Sequence, residues 1–112
     1  MAMQSVRRSK PAADIGIAEL ERKAAQAAGL LKLLANENRL LILCRLAIAG
    51  EMSVGDLADA VDLSQSALSQ HLAKMREDGL LDTRREAQTV FYRIADPKAA
   101  RLLKLLKSIY CP

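Results

Sequence analysis

Three soft side chains are all this sequence offers for thiol or metal chemistry: Cys44, His71 and Cys111. No two of them stand at a metal-ligand spacing, so neither a closed four-ligand zinc site within one chain nor a bound cofactor is expected. Paired carboxylates, a nucleophile-base set and a phosphate-cradling glycine loop are missing from the sequence, and His71 has no evident partner, so an enzyme is not expected. Two cysteines in an aliphatic chain do not make a disulfide scaffold. A bridge between Cys44 and Cys111 requires the end of the chain to return to the segment LLILCRL, and the blander reading of Cys44 is a small core hydrophobe.

A second group of residues suits a different partner. In QSALSQHLAKM, the side chains Gln65, Ser66, Ser69, Gln70 and Lys74 project away from Leu68, Leu72 and Met75. Gln and Ser are short neutral groups that can hydrogen-bond base edges when a helix N-terminus enters a major groove. His71 lies beside this face and reads as a packing or phosphate-contacting residue rather than a metal ligand. Further on, Arg84, Arg85 and Gln88 suit phosphate or minor-groove contacts. An ordinary amphipathic surface helix is the plainer reading of residues 65–78 alone, but a merely solvated helix carries more Glu and Lys on its outer face.

These side chains need elements to hold them. Residues 1–14 (MAMQSVRRSKPAAD) lack apolar periodicity and read as a flexible basic arm, leaving residues 15–112 as one domain. Ile17, Leu20, Ala24, Ala27, Leu31 and Leu34 draw one apolar stripe along a helix over about 15–35. Asn36 or Asn38 can cap a second helix, apolar on nearly every side and therefore expected at the centre of the core, stopped by Gly50. Ser53 with Asp56 opens a short third helix, and Asp62-Leu63-Ser64 makes a tight break with Ser64 capping a fourth, which Gly79 ends. LLDTRRE and TVFYRI, separated by Ala87 and Gln88, read as a β-hairpin. Asp96-Pro97 then opens a last helix through Leu102, Leu103, Leu105, Leu106 and Ile109. The fold class is mainly α with a β-hairpin wing, in the order α-α-α-α-β-β-α, with helices three and four as a helix-turn-helix.

Composition bounds the partner. The chain has 112 residues, 51% of them hydrophobic, enough for one core without staples. Lys and Arg number 17 against 13 Asp and Glu, a net charge of +4 that favours an anionic partner. Aromatics are only 3%, too few for a stacking platform on single strands, so duplex DNA is the open case. Between residues 64 and 93 basic and acidic side chains nearly cancel, so placement rather than bulk charge marks the surface, and a dimer with a moderate salt dependence is expected. The longest apolar stretch, Leu40–Ala49, is interrupted by Arg45, so no membrane partner is expected, and the two thiols suit a reducing, cytoplasmic location.

The segments ANENRLLILCRL, SVGDLAD, SQSALSQHLAKMREDGLL and TRREAQTVFYRI together resemble the ArsR/SmtB family of winged-helix bacterial repressors over roughly residues 18–111. That resemblance implies a homodimer joined through its first and last helices, bound to an inverted-repeat operator in double-stranded DNA and released by an inducer. Members that sense metals carry ligand pairs in the third or the last helix; EMSVGDL and PKAARLLKLLKSIYC have neither. Cys44 and Cys111, with the ending LKSIYCP, instead resemble the two sensing cysteines of the BigR/SqrR/YgaV-type subgroup, which responds to reactive sulfur species and oxidants. Persulfide chemistry at this pair, closing to a disulfide or a longer sulfur bridge, is what the likeness implies; because a buried thiol has a raised pKa and low reactivity, Cys111 is the candidate for first attack and Cys44, within LLILCRL, for the resolving thiol. SQSALSQHL followed by TRREAQT is also similar to nodulation-type repressors of the NolR kind, for which two sensing cysteines are not part of the pattern. A winged helix can equally serve as a protein-protein interaction module.

Overall fold

The computed structural model describes residues 16–112, so the basic arm expected over 1–14 lies outside the described residues. The chain divides into two compact units, the first ending at Leu33 and the second running from Leu34 to Pro112. The first contributes most of α1 (Ile17–Leu34). The helix forms where the three- and four-residue apolar spacing predicts it, yet Ile17, Leu20 and Leu31 on that stripe are each more than half exposed in the single chain.

In the second unit the helix ends follow local chemistry. Asn36 caps α2 (Glu37–Ala49) by accepting from the Arg39 amide at 3.1 Å, which settles the choice between Asn36 and Asn38. Ser53 caps α3 (Val54–Ala60) through the Asp56 amide. Ser64 caps α4 (Gln65–Glu77) through the Ala67 amide at 3.2 Å. Asp96 caps α5 (Pro97–Tyr110), whose first residue is the proline. At the end of α4 the Leu80 amide donates to the Met75 carbonyl and the Gly79 amide to the Arg76 carbonyl, with Gly79 at φ 83°. This paired closure requires the left-handed conformation that glycine adopts without strain, and it seats Leu80 beside Met75 in the core.

The hairpin is present as β2 (Leu81–Glu86) and β3 (Thr89–Ile94), in antiparallel register with Arg84 opposite Phe91 and Glu86 opposite Thr89. It is not alone. A two-residue strand, β1 (Met52–Ser53), pairs with β3 and makes a three-stranded sheet in the order β1-β3-β2. The two-stranded wing expected from sequence is thus extended, because the residues just before the Ser53 cap still have extended backbone when they meet β3.

The core joins Ile42, Leu43 and Leu46 of α2 to Leu57, Leu68, Leu72, Met75, Leu80 and Leu103, all within 2% of full burial. α2 is not buried all round, contrary to the expectation drawn from its composition: Ile48 is 65% exposed, and Leu41 and Arg45 also face outward. One side of α2 packs against α5 and the sheet, and the other stays open. An Arg39–Asp78 ion pair at 3.8 Å links α2 to the end of α4, which helps fix the angle at which α4 leaves the core.

Candidate DNA interface and thiol pair

α4 presents two unlike faces. Leu68, Leu72 and Met75 are buried, whereas Gln65, Ser66, Ser69 and Gln70 are exposed on the helix's first two turns. The first turn holds no acid, so the positive end of the helix and its free amides are not countered by a carboxylate there. Lys74, one turn further, is exposed and sits 3.4 Å from Glu77 and 3.6 Å from Asp78. Such exposed pairs are weak enough for Lys74 to exchange a carboxylate for a phosphate. His71 is half-buried at the margin of the face.

On the wing, strand alternation separates the arginines. Asp82, Arg84 and Glu86 share one face of the sheet with Phe91 and Arg93, and Arg85 falls on the other with Leu81 and Thr83. Arg93 pairs with Asp82, the residue directly opposite it, at 3.1 Å. Arg84 donates twice to Glu51, at 2.8 Å each, and once to Glu86 at 3.0 Å, while its guanidinium carbon lies 4.4 Å from the Phe91 ring centre. Those bonds hold the Glu51 carboxyl below the usual carboxylate range and the Arg84 guanidinium above its ordinary value. Arg85 makes no ion pair among the described residues and is exposed next to the two-residue turn Ala87-Gln88. Ala87 takes φ 57° there, which turns the hairpin tightly and leaves Gln88 at the tip.

Cys44 lies at a helix-helix seam. A cleft of about 200 Å³ is lined by Cys44, Ala47 and Ile48 of α2 and by Leu103, Lys104 and Lys107 of α5. Cys111 follows one turn after Lys107 as the C-cap of α5 and donates its amide to the Lys107 carbonyl at 2.7 Å, so the helix ends one turn beyond this cleft. Both cysteines are free; Cys44 is half-buried and Cys111 exposed. Burial pushes the Cys44 thiol up, and the proximity of Cys111 pushes it further in the same direction. A second cleft of about 400 Å³, lined by Ala35, Asn36, Glu37, Leu40 and Leu41, reaches Cys44 from its other side.

Sequence reasoning did not single out Glu51, Lys104 or Lys107. Glu51 follows a helix-stopping glycine and has no local pattern to mark it; only the strand order brings it to Arg84, 33 positions away. Lys104 and Lys107 are exposed on α5 and stand in no pattern that marks a site. Among the described residues no three of His, Cys, Asp and Glu come together as a metal site, and no helix is long and apolar enough to cross a membrane.

A helix-turn-helix with an exposed Gln/Ser face, followed by a β-wing, defines a winged-helix DNA-binding regulator of transcription. The arsR family of bacterial regulatory proteins matches residues 36–83, from the cap of α2 into β2. The chain is 50% identical over 99 residues to the transcriptional activator HlyU of Vibrio cholerae, covering 88% of this chain and 91% of that protein. It is 48% identical over 98 residues to the biofilm growth-associated repressor of Agrobacterium fabrum, covering 88% of this chain and 83% of the repressor. The solved structure of reduced HlyU from Vibrio cholerae superposes with a TM-score of 0.79 at 51% identity, covering 86% of this chain and all of that one. The chain belongs to the arsR family, as a regulator of transcription and not an enzyme.

Proposed function

We propose that this chain is a homodimeric repressor of the arsR family whose hold on an inverted-repeat operator is switched by thiol chemistry at Cys44 and Cys111. The observation that carries the reading is the seam between α2 and α5, where Cys44 lines a cleft whose α5 wall leads one turn on to Cys111. Gln65, Ser66, Ser69 and Gln70 read base edges, and His71, Lys74, Arg85 and Gln88 engage the backbone or the minor groove. The exposed Leu105, Ile109 and Tyr110 of α5, with Ile17, Leu20 and Leu31 of α1, form the contact between protomers, since so many large apolar side chains are more than one chain leaves in water.

The exposed Cys111 reacts first, because it is open to solvent while burial hinders ionisation of the Cys44 thiol. Its thiolate attacks the sulfane sulfur of a hydropersulfide RSSH, forming Cys111–SSH and releasing RS⁻. The Cys44 thiolate then attacks Sγ of Cys111 and expels HS⁻, which leaves a disulfide between α2 and the end of α5. A crosslink there shifts the dimerisation helix against the helix that packs on the wing, and so changes the spacing of the two reading helices. Likeness to a protein solved as reduced HlyU and to a named repressor supports this reading. The test is mass spectrometry of protein treated with polysulfide: loss of two thiol protons in one chain supports it, and modification of Cys111 alone with Cys44 left free removes the crosslink.

A further inference from the structure

Arg84 stands in the wing where a phosphate contact is expected, yet its donors point elsewhere. It springs from β2, one edge of the sheet, passes over Phe91 of the central strand, and ends in a two-pronged bond with Glu51, which precedes β1 at the opposite edge. A third bond to Glu86 occupies the remaining side of the guanidinium. The fork therefore spans the full width of the sheet. The outer half of the hairpin is lightly held: β1 is only two residues long, from Arg84 to Thr89 every residue is exposed, and the start of α3 at Val54 and Gly55 shares only an open cleft with Gln88, Thr89 and Val90. A bidentate Arg–carboxylate pair stacked on an aromatic ring has directionality that a lone exposed pair lacks.

We infer that Arg84 is a positioning residue: with Glu51 and Phe91 it straps the wing to the end of α2 and sets where Arg85 and Gln88 meet DNA, without itself contacting phosphate. This rests on the reading that the wing lies on duplex DNA. Glu51 immediately follows Gly50, which closes α2, so the strap joins the wing to the helix that carries Cys44.

The two roles open to Arg84 differ in sign. A phosphate-binding arginine loses salt dependence when neutralised, and removing a nearby acid tightens DNA binding. A strap loses affinity when either partner is neutralised, with the salt slope unchanged. The experiment is fluorescence anisotropy of the full chain on a labelled duplex selected from random sequence by the wild-type protein, titrated at several salt concentrations. The variants are Glu51→Gln, Arg84→Gln, Arg84→Lys, the double Glu51→Gln/Arg84→Gln and Arg85→Ala, each checked for a wild-type circular dichroism spectrum. The strap predicts that Glu51→Gln, Arg84→Gln and Arg84→Lys each weaken binding by about threefold to tenfold, that the double variant is no worse than either single, and that the salt slope stays put. Lysine fails here because it keeps the charge but not the fork. Tighter binding by Glu51→Gln, a slope lower by about 1 in Arg84→Gln, or near-wild-type binding by Arg84→Lys overturns the proposal. Arg85→Ala separates the two failures: a lower slope in that variant keeps the wing on DNA even when the strap fails, and an unchanged slope, with no effect from any wing variant, removes both.

Discussion

At the scale of single residues, what matters is which polar groups are committed within the fold and which are left over. On α4 the amide of Ala67 is satisfied by Ser64, while the side chains of Gln65, Ser69 and Gln70 make no hydrogen bonds within the chain among the described residues. In the proposed function those uncommitted side chains read the base edges. Gln65→Ala or Ser69→Ala is expected to weaken binding to the preferred duplex by about 1–3 kcal/mol while leaving affinity for scrambled DNA nearly unchanged. Competition titrations with the two duplexes measure both numbers, and equal losses on both would move base reading off this helix. On the wing the same reasoning separates Arg85, which is free to meet a partner, from Arg84 and Arg93, which answer carboxylates already present.

At the scale of elements, the parts legible in the sequence are those whose causes are local. The caps at Asn36, Ser53, Ser64 and Asp96, the closing glycines at 50 and 79 and the turn at 87–88 each depend on a few neighbouring residues, so the helix order and the hairpin were readable in advance. Three features were not. β1 owes its existence to Tyr92 and Phe91 on a distant strand, the Glu51–Arg84 bond to the strand order, and the open face of α2 to how α5 and the sheet pack on it. Two consequences can be measured. Gly79→Ala places a side chain at φ 83° in the closure of α4 and is expected to cost about 1–2 kcal/mol in urea denaturation; no change would mean that the closure tolerates a Cβ. Glu51 and Asp82 have carboxyls held below their usual range by Arg84 and Arg93, so the stability they lend is fully present above the ordinary carboxylate range. It is lost as pH falls through their lowered values. Protection of β2 and β3 from hydrogen exchange at neutral pH should therefore be lower in Glu51→Gln than in the parent chain, and the difference between the two should shrink as pH falls through the lowered Glu51 value.

At the scale of the whole molecule, the account depends on two copies acting together. Leu105 and Ile109 are exposed on α5, about 160° and 120° around the helix from the buried Leu103. The pair Leu105→Glu/Ile109→Glu adds charge where the single chain already faces solvent, so the protomer fold should persist while the dimer separates. Sedimentation velocity is expected to give a species near twice 12.2 kDa for the parent chain and near 12.2 kDa for the variant. A parent chain that sediments as a monomer at micromolar concentration would remove the inverted-repeat reading, because one winged helix covers only a half-site. The sequence made the surplus of leucines on α5 visible; it could not show which of them the monomer's own core absorbs.

The most direct test of the central claim is operator binding as a function of thiol state. Fluorescence anisotropy on the selected duplex, at fixed salt, compares reduced protein, polysulfide-treated protein and a treated Cys44→Ser/Cys111→Ser variant. The account predicts tight binding by the reduced chain, loss of binding on treatment with recovery after reductant, and undiminished binding by the treated variant. Undiminished binding by the treated parent chain, with Cys44 and Cys111 shown by mass spectrometry to be joined, would contradict it.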